Sequence, residues 1–350
     1  MLRKFEIDLE YQNYIKGPPR GETEMYAQAC GNDKITMDSW REIWIKNITS
    51  SHKRFGSFKD NACQSLVHEF KHRPVIIAGS GPSLKVNAKL LKERGDIGLI
   101  SCLHNKGYFD DIGVVPDYYM SLDAGKIVIP EATQGGKEDA QVYWDKSKDQ
   151  KLLAYIGSDP NLFDKWQGKV HLFNCPVGDP AVQVLTDGDK ALEVFAGYIS
   201  TGGNALGASM YFAKAVMGAN PVIFVGADFA FGHDKKFHAW DSPYDKQHQG
   251  GFWWPSVYSQ LKCFTWNSYF NFKTWVETVA VWRSPGIFIN ATEGGILGSY
   301  NEGNIEQIQQ MSLANVLARY LHYSKVDPST KSSAADCLLY PEKGTKLVLF

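Results

Sequence analysis

Short apolar runs alternating with amphipathic stretches predict a three-layer α/β fold on a mostly parallel sheet. Val75–Ala78, Ile97–Cys102, Asp117–Leu122, Leu152–Ile156 and Pro221–Val225 are short and predominantly apolar, the texture of strands buried on both faces. Two glycine-rich turns, Gly79–Leu84 and Ser200–Asn204, each open a helical stretch. After the second, Leu206, Met210, Ala213 and Met217 form one apolar stripe, and Gly218 ends it.

Composition agrees with an ordinary globular chain. At 350 residues it can bury roughly three quarters of its unfolded surface without a disulfide or metal staple. The 37 basic and 38 acidic residues nearly cancel, which argues against nucleic-acid binding and against an anionic membrane as partner. The six cysteines are scattered with no CxxC pair, so no zinc site, iron–sulfur cluster or redox cofactor is expected. Val194–Ala213 is long and uncharged, but its glycines and hydroxyls make a poor membrane span. The acidic N-terminus MLRKFEIDLEYQ lacks the apolar stretch of a signal peptide, so a cytoplasmic location is expected. Aromatic residues, 13% of the chain with 10 Trp, suit either ligand stacking or an aromatic core and oligomer interface.

In chain order, residues 1–72 read as a charged helical appendage, with helical spacing over Met37–Ile48 and no candidate central strand. Residues 73–300 carry the α/β pattern. Within them Lys85–Arg94 reads as a helix with Leu84, Ala88 and Leu91 on one face, and Val170–Phe173 as a weaker strand. The stretch after Trp240 is aromatic and irregular. It leads to a helix near 266–282 and a last strand at Gly286–Asn290. Residues 301–350 read as a helical extension, with Ile305, Ile308, Met311, Leu313 and Leu317 apolar over 303–323.

Candidate chemistry lies at the expected strand ends, where α/β sheets place ligands. In Gly79-Ser80-Gly81-Pro82-Ser83-Leu84 the glycines allow close backbone approach, and free amides at the following helix favour phosphate. On that reading Gly81→Val weakens nucleotide binding while folding survives. Thr201-Gly202-Gly203-Asn204 is a second glycine-rich helix entry. Asp123 and Asp228 stand just past two strands, each able to hold a sugar, a ribose hydroxyl or Mg²⁺, or to form an ordinary turn. His233 and His238 follow without zinc spacing, and Asn290-Ala291-Thr292-Glu293-Gly294-Gly295 puts polar side chains on a glycine-bearing loop.

Taken together these blocks resemble a known family. Val75–Leu84 resembles the opening strand and loop of the 6-hydroxymethylpterin diphosphokinase-like family, which includes the motility accessory factors. Gly202-Gly203-Asn204, Gly218–Ala230 and His238-Ala239 resemble its second block, and Asn290–Gly295 the loop downstream in the accessory factors. The first block is also similar to CMP-donor bacterial sialyltransferases, with Ser80 where their loop carries Asn.

The resemblance implies a Rossmann-like nucleotide-binding domain and a transferase, and three readings stay open. In the first, a glycosyltransferase uses a CMP-type nonulosonic sugar donor. Gly79–Ser83 and Thr201–Asn204 hold its nucleotide, Asp123, Asn290, Thr292 and Glu293 the substrate, and His238, with His248 second and Asp228, the catalysis. In the second, a diphosphokinase binds ATP with Asp123 and Asp228 on Mg²⁺. The third is a non-catalytic nucleotide- or sugar-binding module. The acceptor is a small molecule, glycan or protein, and a homo-oligomer is compatible with all three.

Overall fold

The computed structural model describes residues 22–56, 60–134, 140–175, 185, 201–240, 251–258, 262–278, 286–300 and 303–321. Its centre is an eight-stranded sheet in which every pairing is parallel. In chain order the strands are β1 (Val75–Ala78), β2 (Gly98–Cys102), β3 (Tyr118–Ser121), β4 (Lys151–Tyr155), β5 (Lys169–Phe173) and β6 (Val222–Val225). A small antiparallel hairpin, β7 (Phe252–Pro255) with β8 (Lys262–Thr265), intervenes before β9 (Phe288–Asn290). The two-residue pair β10 (Ser299–Tyr300) and β11 (Gly303–Asn304) precedes β12 (Ile308–Gln310).

The side-chain alternation of β1 shows why the sheet is covered on both faces. Val75 and Ile77 enter one hydrophobic core, Ile76 and Ala78 another, and all four are fully buried. β6 repeats this, with Val222 and Phe224 on one side and Ile223 and Val225 on the other. Full burial of each such Val or Ile is worth about 1.5–3 kcal/mol. Packing on two sides therefore fixes these short strands. The first face is covered by the helix Ala205–Tyr211, which Asn204 caps by accepting from Gly207 N–H at 2.8 Å. The second is covered by the single turn Leu84–Asn87, the 3₁₀ segment Ala88–Glu93 and the helix Leu313–Tyr320.

The order across the sheet, β12-β9-β6-β1-β2-β3-β4-β5, locates the ligand-binding edge. From β1 the chain adds strands outward to β5, then returns to place β6, β9 and β12 on the other side of β1. The order reverses between β1 and β6, and such a switch point is where open α/β sheets take ligands, outside the carboxyl ends of the strands.

The C-terminal end of the chain departs from the sequence expectations. Residues 301–350 are not wholly helical: β12 extends the sheet beside β9, with Ile308 opposite Phe288. A three-residue strand followed by a helix mimics one long apolar period, and the Ser312 cap marks the break by accepting from Asn315 N–H. At the other end, the helix Glu22–Phe55 contains the expected Met37–Ile48, and no described residue before 72 forms a strand. Ala62 makes an isolated bridge to Leu172 at the β5 edge. Yet this helix is rooted in the sheet. Buried Asn47 donates to the carbonyls of Ala124 (2.9 Å) and Gly157 (3.0 Å), and Ser51 Oγ donates to Ile156 O (2.8 Å). It thereby closes the carboxyl ends of β3 and β4. Among the described residues no helix is long and apolar enough to cross a membrane.

Asn47→Ala should destabilise the protein by about 1–3 kcal/mol, because it orphans two buried carbonyls. Exposed Glu42→Ala should stay within about 0.5 kcal/mol. Urea midpoints of the two variants test this, and equal midpoints would mean that the helix end is not anchored there.

Candidate functional site

Three loops meet at the switch point, and Asp228 joins them. Beyond β6 the chain turns at Gly226, and Asp228 points back at the loop after β1. Its carboxylate accepts from Ser83 Oγ at 2.7 Å and from Ser83 N–H at 3.3 Å. Gly81 N–H donates to Gly226 O at 2.9 Å, and Gly79 N–H to Val225 O at 2.9 Å. From the third loop, Thr292 Oγ1 accepts from Ala227 N–H (3.1 Å), and Ile296 N–H donates to Asp228 O (2.8 Å).

This geometry narrows the expectation that backbone amides of residues 79–84 hold phosphate to the amide of Ser80. The amides of Gly79, Gly81 and Ser83 are already bonded within the protein, Leu84 N–H donates to Gly81 O, and Pro82 has none. The glycines serve loop–loop contact instead. A Cβ on Gly81 would collide with Asp228 Oδ2 and one on Gly79 with Gly226 O. Gly81→Val therefore strikes at folding and does not single out a ligand. The exception in the loop is Ser80. Neither its N–H nor its buried Oγ has a hydrogen-bond partner among the described residues.

Beside it lies a polar group that the sequence reading passed over. His104 follows β2, and its Nε2 sits 3.2 Å from Asp123 Oδ2 and 3.0 Å from Glu131 Oε2. Burial works against a charge on this ring, but bonding and attraction to Asp123, with the charge of Glu131, outweigh it. The imidazole is pushed up to about 9 and is cationic at neutral pH. His104 in turn holds Asp123 below the usual carboxylate range against the opposing effect of burial. Asn105, fully buried, donates to Gly79 O (2.8 Å) and to Ser101 Oγ (3.0 Å), which pins the β2 loop to the β1 loop. The available signal was a His-Asn pair directly after an apolar strand, at the same kind of position that drew attention to Asp123 and Asp228.

The structure sorts the remaining expected residues. His238 is buried, its ring stacked on Trp240 (4.8 Å) and 6.1 Å from the ring of His104, and Ala239 N–H donates to Ser80 O at 3.0 Å. Asp228 and His238 thus flank the 79–83 loop from opposite ends. Asn290 and Thr292 are fully buried and hold their own loop: Asn290 donates to Leu297 O and accepts from Thr292 N–H. Glu293, though exposed, accepts from Leu313 N–H and Asn87 Nδ2. All three hold the loop, and the polar atoms of the buried Asn290 and Thr292 are turned to partners within the protein. Thr201 Oγ1 accepts from Gly203 N–H, and Gly202 packs against Trp275, so this turn shapes the entry to the helix that reaches Gly79 through Leu206. His248 lies outside the described residues.

The Mg²⁺ pair of the kinase reading does not form one site. Asp123 and Asp228 follow β3 and β6, three strand spacings apart or roughly 14 Å of sheet. Each carboxylate already has its own partner, His104 or Ser83. Among the described residues no three His, Cys, Asp or Glu side chains converge as a metal site. The aromatic rings are largely spent on one another. Phe231 packs against Phe237, Phe264, Trp266 and Tyr269, which makes a satellite core, while Trp253 on the hairpin is 64% exposed.

Burial pushes Asp228 up to about 7, although the Ser83 N–H and O–H favour its charged form. A folded-state value above the unfolded one means that this group's stabilising contribution is complete below about 4 and is lost as pH rises through about 7. Asp228→Asn cannot ionise and lacks that loss. Its stability relative to the parent should therefore rise between pH 4 and 7.5, on the order of 2–4 kcal/mol. Denaturation at both pH values tests this, and a pH-independent difference would mean that Asp228 is not held near neutrality.

Residues 47–234, just over half of the chain, match the family described as 6-hydroxymethylpterin diphosphokinase MptE-like. No curated protein matches the chain. Among solved structures, the MAf glycosyltransferase from Magnetospirillum magneticum AMB-1 is similar, with a TM-score of 0.51 at 14% identity. The alignment covers 77% of this chain but 41% of that one, so the chain spans well under half of its length, and the likeness is one of fold. The matched family is the one that the blocks at 75–84 and 202–230 resemble. The chain belongs to the 6-hydroxymethylpterin diphosphokinase MptE-like family.

Proposed function

We propose that the protein is a transferase acting on a nucleotide-activated donor, in particular a glycosyltransferase that uses a CMP-linked, sialic-acid-like sugar. The observation that supports this best is the clustering of Ser80, His104, Asp123 and His238 at the carboxyl ends of neighbouring strands beside the switch point. In this reading the nucleotide lies along the β1 and β2 ends, and Asp123 stands at its sugar side, tied to His104. His238, buried against Trp240, serves the acceptor hydroxyl as base, a role for which an imidazole is chemically suited. The family is described by a diphosphokinase and the similar fold is that of a glycosyltransferase. Both are group-transfer enzymes, which agrees with the broader class.

A second reading, phosphoryl transfer from ATP to a pterin-like alcohol, is favoured by the family's description. It calls for carboxylates that share a cation, and the separation of Asp123 from Asp228 weakens it. A thermal-shift panel of CMP, CDP, UDP, GDP, ADP and ATP, each with and without Mg²⁺, separates the two. A ligand that binds only the folded state raises the melting temperature by mass action, about 2.7 kcal/mol at a hundredfold excess over Kd. Stabilisation by CMP without Mg²⁺ is the expected result. Stabilisation by ATP alone, dependent on Mg²⁺, would replace the glycosyl reading with the kinase. A panel with no response would remove both.

A further inference from the structure

At the carboxyl end of β1, donors of Ser80 without a partner among the described residues lie beside the loop that carries His104. The Nε2 of His104 lies 3.2 Å from Asp123 Oδ2 and 3.0 Å from Glu131 Oε2, which leaves Nδ1 on the other side of a ring that is 25% exposed. Next to it, Ser80 offers an N–H and an Oγ that have no partner among the described residues. The two are neighbours by construction. Asn105 ties the His104 loop to Gly79, and Ala239 ties the His238 segment to Ser80, while the rings of His104 and His238 stand 6.1 Å apart. Buried polar groups are ordinarily satisfied, so unengaged donors around a cation point to an acceptor that arrives from outside.

We propose that His104 and Ser80 together bind the phosphate of the activated donor, with Asp123 and Glu131 as positioning residues that act through His104. The proposal rests on the transferase reading and deepens it by naming the phosphate contact. Without the imidazolium these strand ends would present Asp123 and Glu131 to an incoming phosphate, and like charges would repel it. With it, the two carboxylates fix the ring and keep its second N–H directed away from them, as oriented donors in a preorganised site require. In the transfer, the bond between the sugar carbon and the phosphate oxygen breaks, and its electron pair stays on the phosphate. The acceptor oxygen forms the new bond to that carbon and releases its proton to a base. His104 meets the charge gained by the leaving nucleoside monophosphate through its Nδ1–H and keeps its own proton.

The test compares CMP with cytidine, which lacks only the phosphate, by calorimetry on the full chain. His104→Gln should weaken CMP at least tenfold and leave cytidine unchanged, and Ser80→Ala should do the same to a smaller extent. Glu131→Gln should lower the titration midpoint of His104, followed by NMR of the imidazole, which a merely structural carboxylate would not move. If the parent takes ATP in place of CMP, ATP and adenosine make the same comparison. A folded His104→Gln protein that keeps the parent's preference for nucleotide over nucleoside overturns the proposal and leaves the transferase reading standing. A parent that binds no nucleotide at all overturns both. Should His104→Gln fail to fold, Ser80→Ala decides by the same ratio, and an unchanged ratio there overturns the proposal.

Discussion

The carboxylate of Asp228, buried against Ser83, is the contact on which the rest of the site is built. It spans the place where the sheet reverses direction, and it brings the loops after β1, β6 and β9 to one point. Its neighbours are small because they must be. Gly81 and Gly295 leave no room for a Cβ beside Asp228, and Gly294 approaches both Asp228 and Ser83. A carboxylate in this position does what a bound anion would do for the amide of Ser83, and it leaves that amide nothing further to offer. The glycines that suggest a phosphate cradle are, in this fold, the consequence of an internal one.

Polar function is thereby shifted one strand along. The β6 and β9 side of the edge is closed by hydrogen bonds within the protein, and the end of the helix Glu22–Phe55 closes β3 and β4 through Asn47 and Ser51. Between them, the ends of β1 and β2 carry Ser80 and His104. The electrostatics follow the same division. Asp228 is held near neutrality by burial with hydrogen-bond donors but no cation, while Asp123 is kept charged by the imidazolium it stabilises. Two carboxylates at equivalent strand ends are thus given opposite behaviour by their surroundings.

Much of this was legible in the sequence. Uninterrupted apolar runs are what a strand buried on both faces requires, so β1 to β6 and β9 could be read directly, and position past a strand identified Asp123 and Asp228. The stripe Leu84, Ala88, Leu91 was also right, although the backbone there tightens into a 3₁₀ segment, since one turn and a 3₁₀ run place the same residues inward. What could not be read was the direction of side chains. Asn290 and Thr292 look like ligands in a polar loop, but their atoms are used by the loop itself. His104 looks unremarkable until Asp123, nineteen positions on, and Glu131 fold against it. β12 was hidden because Ile305, Ile308 and Met311 keep a three-residue, helix-like spacing across the strand, and Leu313 and Leu317 continue it beyond the cap.

The central claim is that Asp228 and Ser83 form one interaction that holds the switch point together, and a double-mutant cycle measures it most directly. Ser83→Ala, Asp228→Ala and the double variant are compared by urea denaturation above pH 8, where the carboxylate is ionised. A coupling of about 1.5–3 kcal/mol is expected for a hydrogen-bonded charge removed from water. Effects that add to within about 0.5 kcal/mol would show two independent residues, and the closed switch point described here would be contradicted.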